Sequence, residues 1–330
     1  MMSKTSSTMI ARARQVLPFV GMALLLAYFL SSTDMPAVWK ALQTADIARF
    51  SLVVVGVTLA VWVYDSLCLV WLVRRTLGHR GKPGGGTFAE IAPVKAVSYV
   101  LNIVNYHAAS LGMAFLVSRR KGVPFLEAAG AFAVLSYLDL LAVAGMAVLG
   151  LLVDPTVVSA NHGLHEWTQA VAATLFALAV LSLVLLQSGW QVPWLVRLRQ
   201  VSVLRPLSAL GPTAMLQGLL LRVGLVLAYT VATVLIMQAF GMQPQWGRML
   251  VAMPILTVVG TVPISVSGIG TTQVLMRVLY APFVVSGAPG PVIDAFSSAM
   301  IVGYIVVRVV LAAPFLRKIT AELRGSPGIR

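Results

Sequence analysis

Several runs of apolar residues in this chain are long enough to cross a lipid bilayer, and they limit the fold more than any other feature. A transmembrane helix needs about 20 predominantly apolar residues. Runs of this kind fall at residues 16–32, 50–73, 125–153, 167–188, 219–240 and 293–316. Only 10% of the residues are charged, whereas a soluble domain has about 25%. The sequence therefore predicts an all-α, polytopic integral membrane protein with six full spans.

Two further apolar segments, residues 93–117 and 249–286, are interrupted within their length. The second contains Pro254, Pro263 and Gly268. Helix breakers at membrane depth are tolerated only where the freed backbone groups are buried in protein or line a cavity. We therefore expect each interrupted segment to be a re-entrant hairpin that enters and leaves the bilayer on one side.

Basic residues are concentrated in particular loops and set the predicted orientation. The chain has a formal net charge of +14, and the loop at residues 154–166 contains no Lys or Arg. The basic regions are residues 74–82, 119–121, 197–205 and 317–330. The positive-inside rule places these regions and both termini in the cytoplasm, with residues 318–330 as a basic tail. We expect a bacterial inner-membrane protein whose basic loops meet anionic lipids, and we expect no nucleic-acid partner.

The order of the predicted elements repeats within one transmembrane domain. Residues 16–153 and 167–316 each contain two spans, a hairpin and a final span, so the halves are inverted relative to each other. The pattern E-A…Y at residues 127–137 recurs as D-A…Y at residues 294–304. Paired interrupted segments of an inverted repeat indicate the binding site of a transporter. The alternative is a helical bundle with two kinked full spans.

The second hairpin carries an arginine in apolar surroundings. Arg277 shares a helix face with Gln273 and Tyr280, and its guanidinium can bind two phosphate oxygens. Two readings are open: this face binds a lipid headgroup, or Arg277 pairs with a carboxylate inside the protein. The candidate substrate contacts on this hairpin are Ser265, Gly268, Gly270, Gln273, Arg277 and Tyr280.

The tip of the first hairpin is polar. Its candidate substrate contacts are Asn102, Asn105, His107 and Ser110. Two roles are open for these side chains as well. They either contact the substrate or satisfy backbone groups that the break in the helix sets free.

Charged residues inside the apolar spans predict an intramembrane charge network. Its predicted members are Asp65, Asp139, Tyr304 and Arg308. Some pairing is expected because an unpaired buried charge costs several kcal/mol. Lys95 and Arg222 lie near the cytoplasmic ends of their predicted segments, so we expect them to reach the interface.

The sequence shows no signature of an enzyme. It contains no nucleophile elbow, no H-E-x-x-H helix and no acidic residues with metal-binding spacing. We therefore predict no catalytic residues, no metal and no cofactor.

Motifs in both halves resemble the lysylphosphatidylglycerol synthase transmembrane-region family. The run PISVSGIG at residues 263–270 resembles the family signature P-x-S-x-G-G-x-G. The first half resembles the family pattern in the same order, through Asn102, Gly112, Arg119, Glu127 and Asp139. The resemblance covers residues 50–316.

The resemblance implies a flippase-like protein that moves a phospholipid or a lipid-linked precursor between the leaflets of the inner membrane. The aminoacyl-transferase domain of two-part members is not found in this sequence, so we expect no aminoacylation of lipid. The alternative is a membrane partner that transports nothing and regulates a lipid-modifying or envelope-biosynthesis enzyme.

Overall fold

Helices dominate the computed structural model, which describes residues 34–78, 86–104, 106–153, 162–261 and 271–325. These ranges contain no β-strand, which confirms the all-α class. The helices are α1 (Met35–Thr44), α2 (Ile47–Leu77), α3 (Phe88–Val104), α4 (Tyr106–Lys121), α5 (Phe125–Val153), α6 (His162–Gln187), α7 (Pro193–Gln200), α8 (Arg205–Ala209), α9 (Pro212–Ala239), α10 (Trp246–Thr261), α11 (Thr271–Tyr280) and α12 (Pro289–Gly325). A 3₁₀ turn at Ala281–Phe283 follows α11.

Four of the described helices are long and apolar enough to cross a membrane. They correspond to α2, α5, α9 and α12, and they match four of the six predicted spans. The predicted span at residues 167–188 falls in α6, where the apolar stretch Ala173–Gln187 is shorter. The predicted span at residues 16–32 lies outside the described residues. The multi-pass architecture is therefore confirmed, while the count of six spans stays a prediction.

The outward faces of these helices are apolar, as a lipid-embedded protein requires. On α12, Val302, Val306 and Val310 are 61%, 54% and 68% exposed. A soluble monomer rarely exposes a continuous apolar patch of this kind. Inside the protein, one buried cluster surrounds Phe240 and Phe296, and a second contains Leu69, Leu72 and Leu138.

Helices α2 and α9 run antiparallel along their whole length. The N–H of Asp46, before α2, donates to the carbonyl of Ala239 at the end of α9, at 2.8 Å. Farther along, the Tyr64 hydroxyl donates to the carbonyl of Leu221, also at 2.8 Å. These bonds place the polar middle of α2 beside the first half of α9.

Helices α3 and α4 form a hairpin in which the end of α4 contacts the beginning of α3. Arg120, near the end of α4, donates from Nη1 to the carbonyl of Glu90 in the first turn of α3. The Glu90 carboxylate accepts N–H groups from Gly86 and Thr87 at 2.8 and 3.0 Å, and so caps α3. The Thr87 N–H in particular holds the pKa of this carboxyl below its usual value. Helices of 17 and 16 residues are each about 25 Å long, less than the bilayer core.

The second interrupted segment also folds into two helices whose ends meet. The Tyr280 hydroxyl on α11 donates to Sδ of Met253 on α10, at 3.2 Å. The N–H of Gln243, before α10, donates to the carbonyl of Phe283 at 2.8 Å. The connection between α10 and α11 lies outside the described residues, and it contains the candidates Ser265, Gly268 and Gly270.

Substitution by alanine is expected to change the stability of the protein in opposite directions at two glycines. A Cβ on Gly130 of α5 would lie 2.7 Å from the carbonyl oxygen of Val203, whereas Gly56 of α2 has open space around it. We expect Gly130→Ala to destabilise the protein by about 1–3 kcal/mol, because backbone must shift. Gly56→Ala should stabilise it by up to about 1 kcal/mol through helix propensity. Thermal unfolding in detergent checks both, and a Gly130→Ala protein as stable as Gly56→Ala would refute the close packing.

Candidate functional site

A cavity of about 390 Å³ lies among the membrane-spanning helices and the first hairpin. Its apolar wall consists of Ala109, Met113, Phe132, Leu135, Leu140, Val143, Leu225, Val226 and Val258. Its polar lining consists of Asp65, Lys95, Ser98, Tyr99, Asn102, Ser110, Ser136, Asp139, Arg222, Tyr229, Thr257 and Arg308. Convergent polar groups on a mostly apolar wall are typical of a ligand site.

Four charged side chains on four helices form a continuous network along this cavity. Asp65 on α2 accepts from Lys95 Nζ on α3 at 2.5 Å and from Arg222 Nη1 on α9 at 2.7 Å. Arg222 also donates from Nε to Oδ1 of Asp139 on α5. The two cations and two carboxylates balance, so the network is neutral and connects both halves of the chain.

The prediction that Lys95 and Arg222 reach the membrane interface is wrong. Arg222 is only 5% exposed, and both side chains pair with Asp65 inside the protein. The physical reason is depth. Helix α9 begins at Pro212, so Arg222 lies about 15 Å along its axis.

Arg308 lies beside the network and is held by aromatic rings. Its Cζ atom is 5.1 Å from the ring centroid of Tyr99 and 5.2 Å from that of Tyr304. Both distances are typical of cation–π contacts. Within the described ranges, no carboxylate lies within salt-bridge distance of Arg308. The network of four is thus flanked by one further cation.

Tyr99 connects Arg308 to the network, and its hydroxyl is unusual. The ring also lies 5.3 Å from Lys95 Nζ, and the residue is 4% exposed. Its hydroxyl oxygen is buried and has no hydrogen-bond partner among the described residues. Buried polar groups are almost always hydrogen-bonded. Tyr99 was not among the candidates from sequence, where nothing distinguishes it from a tyrosine of the apolar core.

The structure brings part of the predicted site together. Asn102 and Ser110 of the first hairpin line the cavity with Asp65, Asp139 and Arg308, and Tyr304 contacts Arg308. Asn105 and the side chain of His107 lie outside the described residues. The first hairpin and the predicted charge network therefore share one site.

The described candidates on the second hairpin, Gln273, Arg277 and Tyr280, do not line this cavity. Arg277 forms a bidentate ion pair with Asp294 on α12, with Nε–Oδ1 and Nη2–Oδ2 distances of 2.7 and 2.6 Å. Asp294 and Gln273 are buried, and Tyr280 is fully buried against Phe296. Of the two readings of Arg277, pairing with an internal carboxylate is the arrangement that the structure contains.

The fold and cavity define a polytopic helical membrane protein with a charged site between its helices. The family model described as the lysylphosphatidylglycerol synthase TM region matches residues 15–319, so the chain belongs to that family. A comparison with curated proteins finds no significant match. In the described part of the chain, no group of three or more His, Cys, Asp or Glu could hold a metal ion.

Proposed function

We propose that this protein translocates a lipid or lipid-linked precursor between the leaflets of the bacterial inner membrane. The observation that carries the proposal is the charged cavity, because ionisable residues inside a membrane are costly and usually mark a substrate pathway. The lipid leaves the protein chemically unchanged, so the activity is transport and not catalysis. Membership of a family of lipid-synthase transmembrane regions supports a lipid as the substrate.

The size of the cavity matches a headgroup and not a whole lipid. Its volume of about 390 Å³ lies at the low end of the range for small-molecule pockets, about 300–1,000 Å³. The headgroup therefore occupies the cavity while the acyl chains stay in the hydrocarbon around the protein. The apolar outer face of α12, next to Arg308, gives the acyl chains a compatible surface.

The arrangement of the helices supports an inverted repeat whose cavity opens alternately to the two sides of the membrane. The proposed halves, residues 16–153 and 167–316, contribute α2 and α9 as equivalent elements, and these helices are antiparallel. The α3–α4 hairpin enters from the cytoplasm and the α10–α11 hairpin from outside, with both termini cytoplasmic. The network around Arg222 holds α2, α3, α5 and α9 together in the present arrangement. Its rearrangement accompanies passage of the headgroup.

Blocking the cavity should stop transport. Leu140 lines the cavity on α5, whereas Leu149 on the same helix is 64% exposed. The two positions are nine residues apart and therefore face opposite directions. In proteoliposomes with fluorescent phospholipids, we expect Leu140→Trp to slow leaflet exchange at least several-fold and Leu149→Trp to leave it unchanged.

The comparison with protein-free vesicles decides the proposal. Wild-type protein must exchange at least one phospholipid faster than these vesicles do. If anionic, zwitterionic and cationic lipids all exchange no faster with the protein than in protein-free vesicles, transport is contradicted. That result would favour a role as partner of a lipid-modifying or envelope enzyme. Faster exchange that Leu140→Trp does not slow would place the pathway outside the cavity.

A further inference from the structure

We propose that Arg308 and Tyr99 form an anion subsite in the cavity, and that this subsite selects lipids whose headgroups carry a net negative charge. The proposal rests on the proposed function for its ligand, since it takes the cavity to be a headgroup site. It adds the class of headgroup and the two side chains that recognise it.

The charges along the cavity do not balance. The described lining contains three cationic side chains and two carboxylates. Lys95 and Arg222 are paired with Asp65 and Asp139, which leaves the charge of Arg308. An uncompensated charge at membrane depth is unfavourable, and an anionic ligand supplies its counter-charge.

The geometry of Arg308 suits an oxyanion. Its guanidinium carbon lies 5.1 and 5.2 Å from the centroids of two tyrosine rings, and a cation–π contact takes up no hydrogen-bond acceptor. The N–H groups lie in the plane of the guanidinium and fit two oxygen atoms of a phosphate side by side. The aromatic contacts thus hold Arg308 at the cavity without hydrogen-bonding the donors that a phosphate needs.

The Tyr99 hydroxyl points independently to a ligand. It belongs to a cavity-lining residue, it is buried, and it has no hydrogen-bond partner among the described residues. A phenolic O–H is a donor as well as an acceptor, and a phosphate oxygen accepts strongly. An anion beside Arg308 satisfies both the charge and this hydroxyl.

The same lining disfavours a headgroup with an additional amine. An ammonium group requires a carboxylate or several carbonyl oxygens in a low-dielectric site. Asp65 and Asp139 are the described carboxylates of the cavity, and both are already engaged by Lys95 or Arg222. A phosphodiester without an amine fits, whereas an aminoacylated headgroup brings a charge that breaks the network.

Lipid binding by the purified full-length protein tests this selectivity without measuring transport. Native mass spectrometry would compare phosphatidylglycerol, phosphatidylethanolamine and lysylphosphatidylglycerol at equal concentration. Charge-assisted hydrogen bonds predict that wild-type protein prefers phosphatidylglycerol over the cationic lipid by about tenfold or more. Equal binding of the three lipids, or a preference for the cationic one, would overturn the proposal.

Matched variants assign the preference to the two residues. Arg308→Gln should abolish the preference for phosphatidylglycerol, and Arg308→Lys should keep part of it. Arg317 is an exposed arginine on the same helix, so Arg317→Gln should leave the preference intact. Tyr99→Phe should weaken phosphatidylglycerol binding several-fold while the lipid-free protein is at least as thermally stable as wild type, because the lost hydroxyl has no hydrogen-bond partner among the described residues. Reduced stability with unchanged affinity would make Tyr99 structural and contradict the subsite.

Competition distinguishes a lipid headgroup from a free anion. Inorganic phosphate at millimolar concentration should displace little bound phosphatidylglycerol, since it lacks the acyl chains. Complete displacement would identify a site for soluble anions and overturn the lipid assignment. Headgroup selectivity in binding without any leaflet exchange would refute the transport proposal alone. Exchange without selectivity would refute the subsite alone.

Discussion

Replacing Arg222 with glutamine is expected to lower the free energy of unfolding by about 3–5 kcal/mol. Arg222 pairs with both Asp65 and Asp139, and its side chain is only 6% exposed. Without the guanidinium, Asp139 loses its charged partner and Asp65 keeps only Lys95. Denaturation in mixed micelles, or thermal unfolding in detergent, measures the loss.

A second substitution and a surface control make this prediction specific. Asp139→Asn in the Arg222→Gln background should recover a large part of the lost stability, because the Lys95–Asp65 pair then remains as a neutral unit. Arg49→Gln removes an exposed arginine that donates to Gln238 at 2.7 Å, and should change stability by less than about 1 kcal/mol. If Arg222→Gln is no more harmful than Arg49→Gln, the network does not hold the four helices together.

Replacing Arg277 with glutamine is the second large expected effect, with a loss of about 2–3 kcal/mol. The substitution leaves Asp294, whose side chain is 3% exposed, without its bidentate partner. The loss is smaller than for Arg222 because the Arg277 side chain is 21% exposed and water compensates in part. The Arg277→Gln/Asp294→Asn double variant should recover most of the stability.

Leaflet exchange by that double variant separates the two readings of Arg277. If the residue serves to join α11 to α12, the folded double variant should exchange lipid at nearly the wild-type rate. If Arg277 binds a headgroup, exchange should fall even though the protein is stable. A stable but inactive double variant would return Arg277 to the substrate pathway and contradict its purely structural role.

The sequence predicted the helical class, four of the membrane-spanning helices and the two interrupted segments, because each depends on local hydrophobic length and on polar or helix-breaking residues within an apolar run. The runs ending near residue 73 and residue 153 are continuous, and both became single helices, α2 and α5. The interruption inside residues 93–117 became the junction of α3 and α4. Asp65, Asp139 and Arg308 were predictable for a similar reason, since charges in apolar runs are rare and must be accommodated.

The choice of partners was not predictable, because it depends on how helices rotate and pack. Arg222 and Lys95 have side chains long enough to reach either the interface or a buried acid, and only the position of Asp65 selects the second. Asp294 lies seventeen residues after Arg277 in the chain, and it comes within reach because α11 packs on α12. Tyr99 shows the same limit, since a hydroxyl without a hydrogen-bond partner among the described residues is a property of the packed protein alone.

The most direct test of the central claim is to locate the headgroup on the protein. Wild-type protein in vesicles would be irradiated with a phosphatidylglycerol analogue that carries a photoreactive group on its headgroup, and the labelled residues would be identified by mass spectrometry. We predict labels on cavity residues such as Asn102, Ser136 and Tyr229, and competition by unlabelled phosphatidylglycerol. Labels confined to outward-facing residues such as Leu59, Leu149 and Val310 would contradict entry of the headgroup into the cavity.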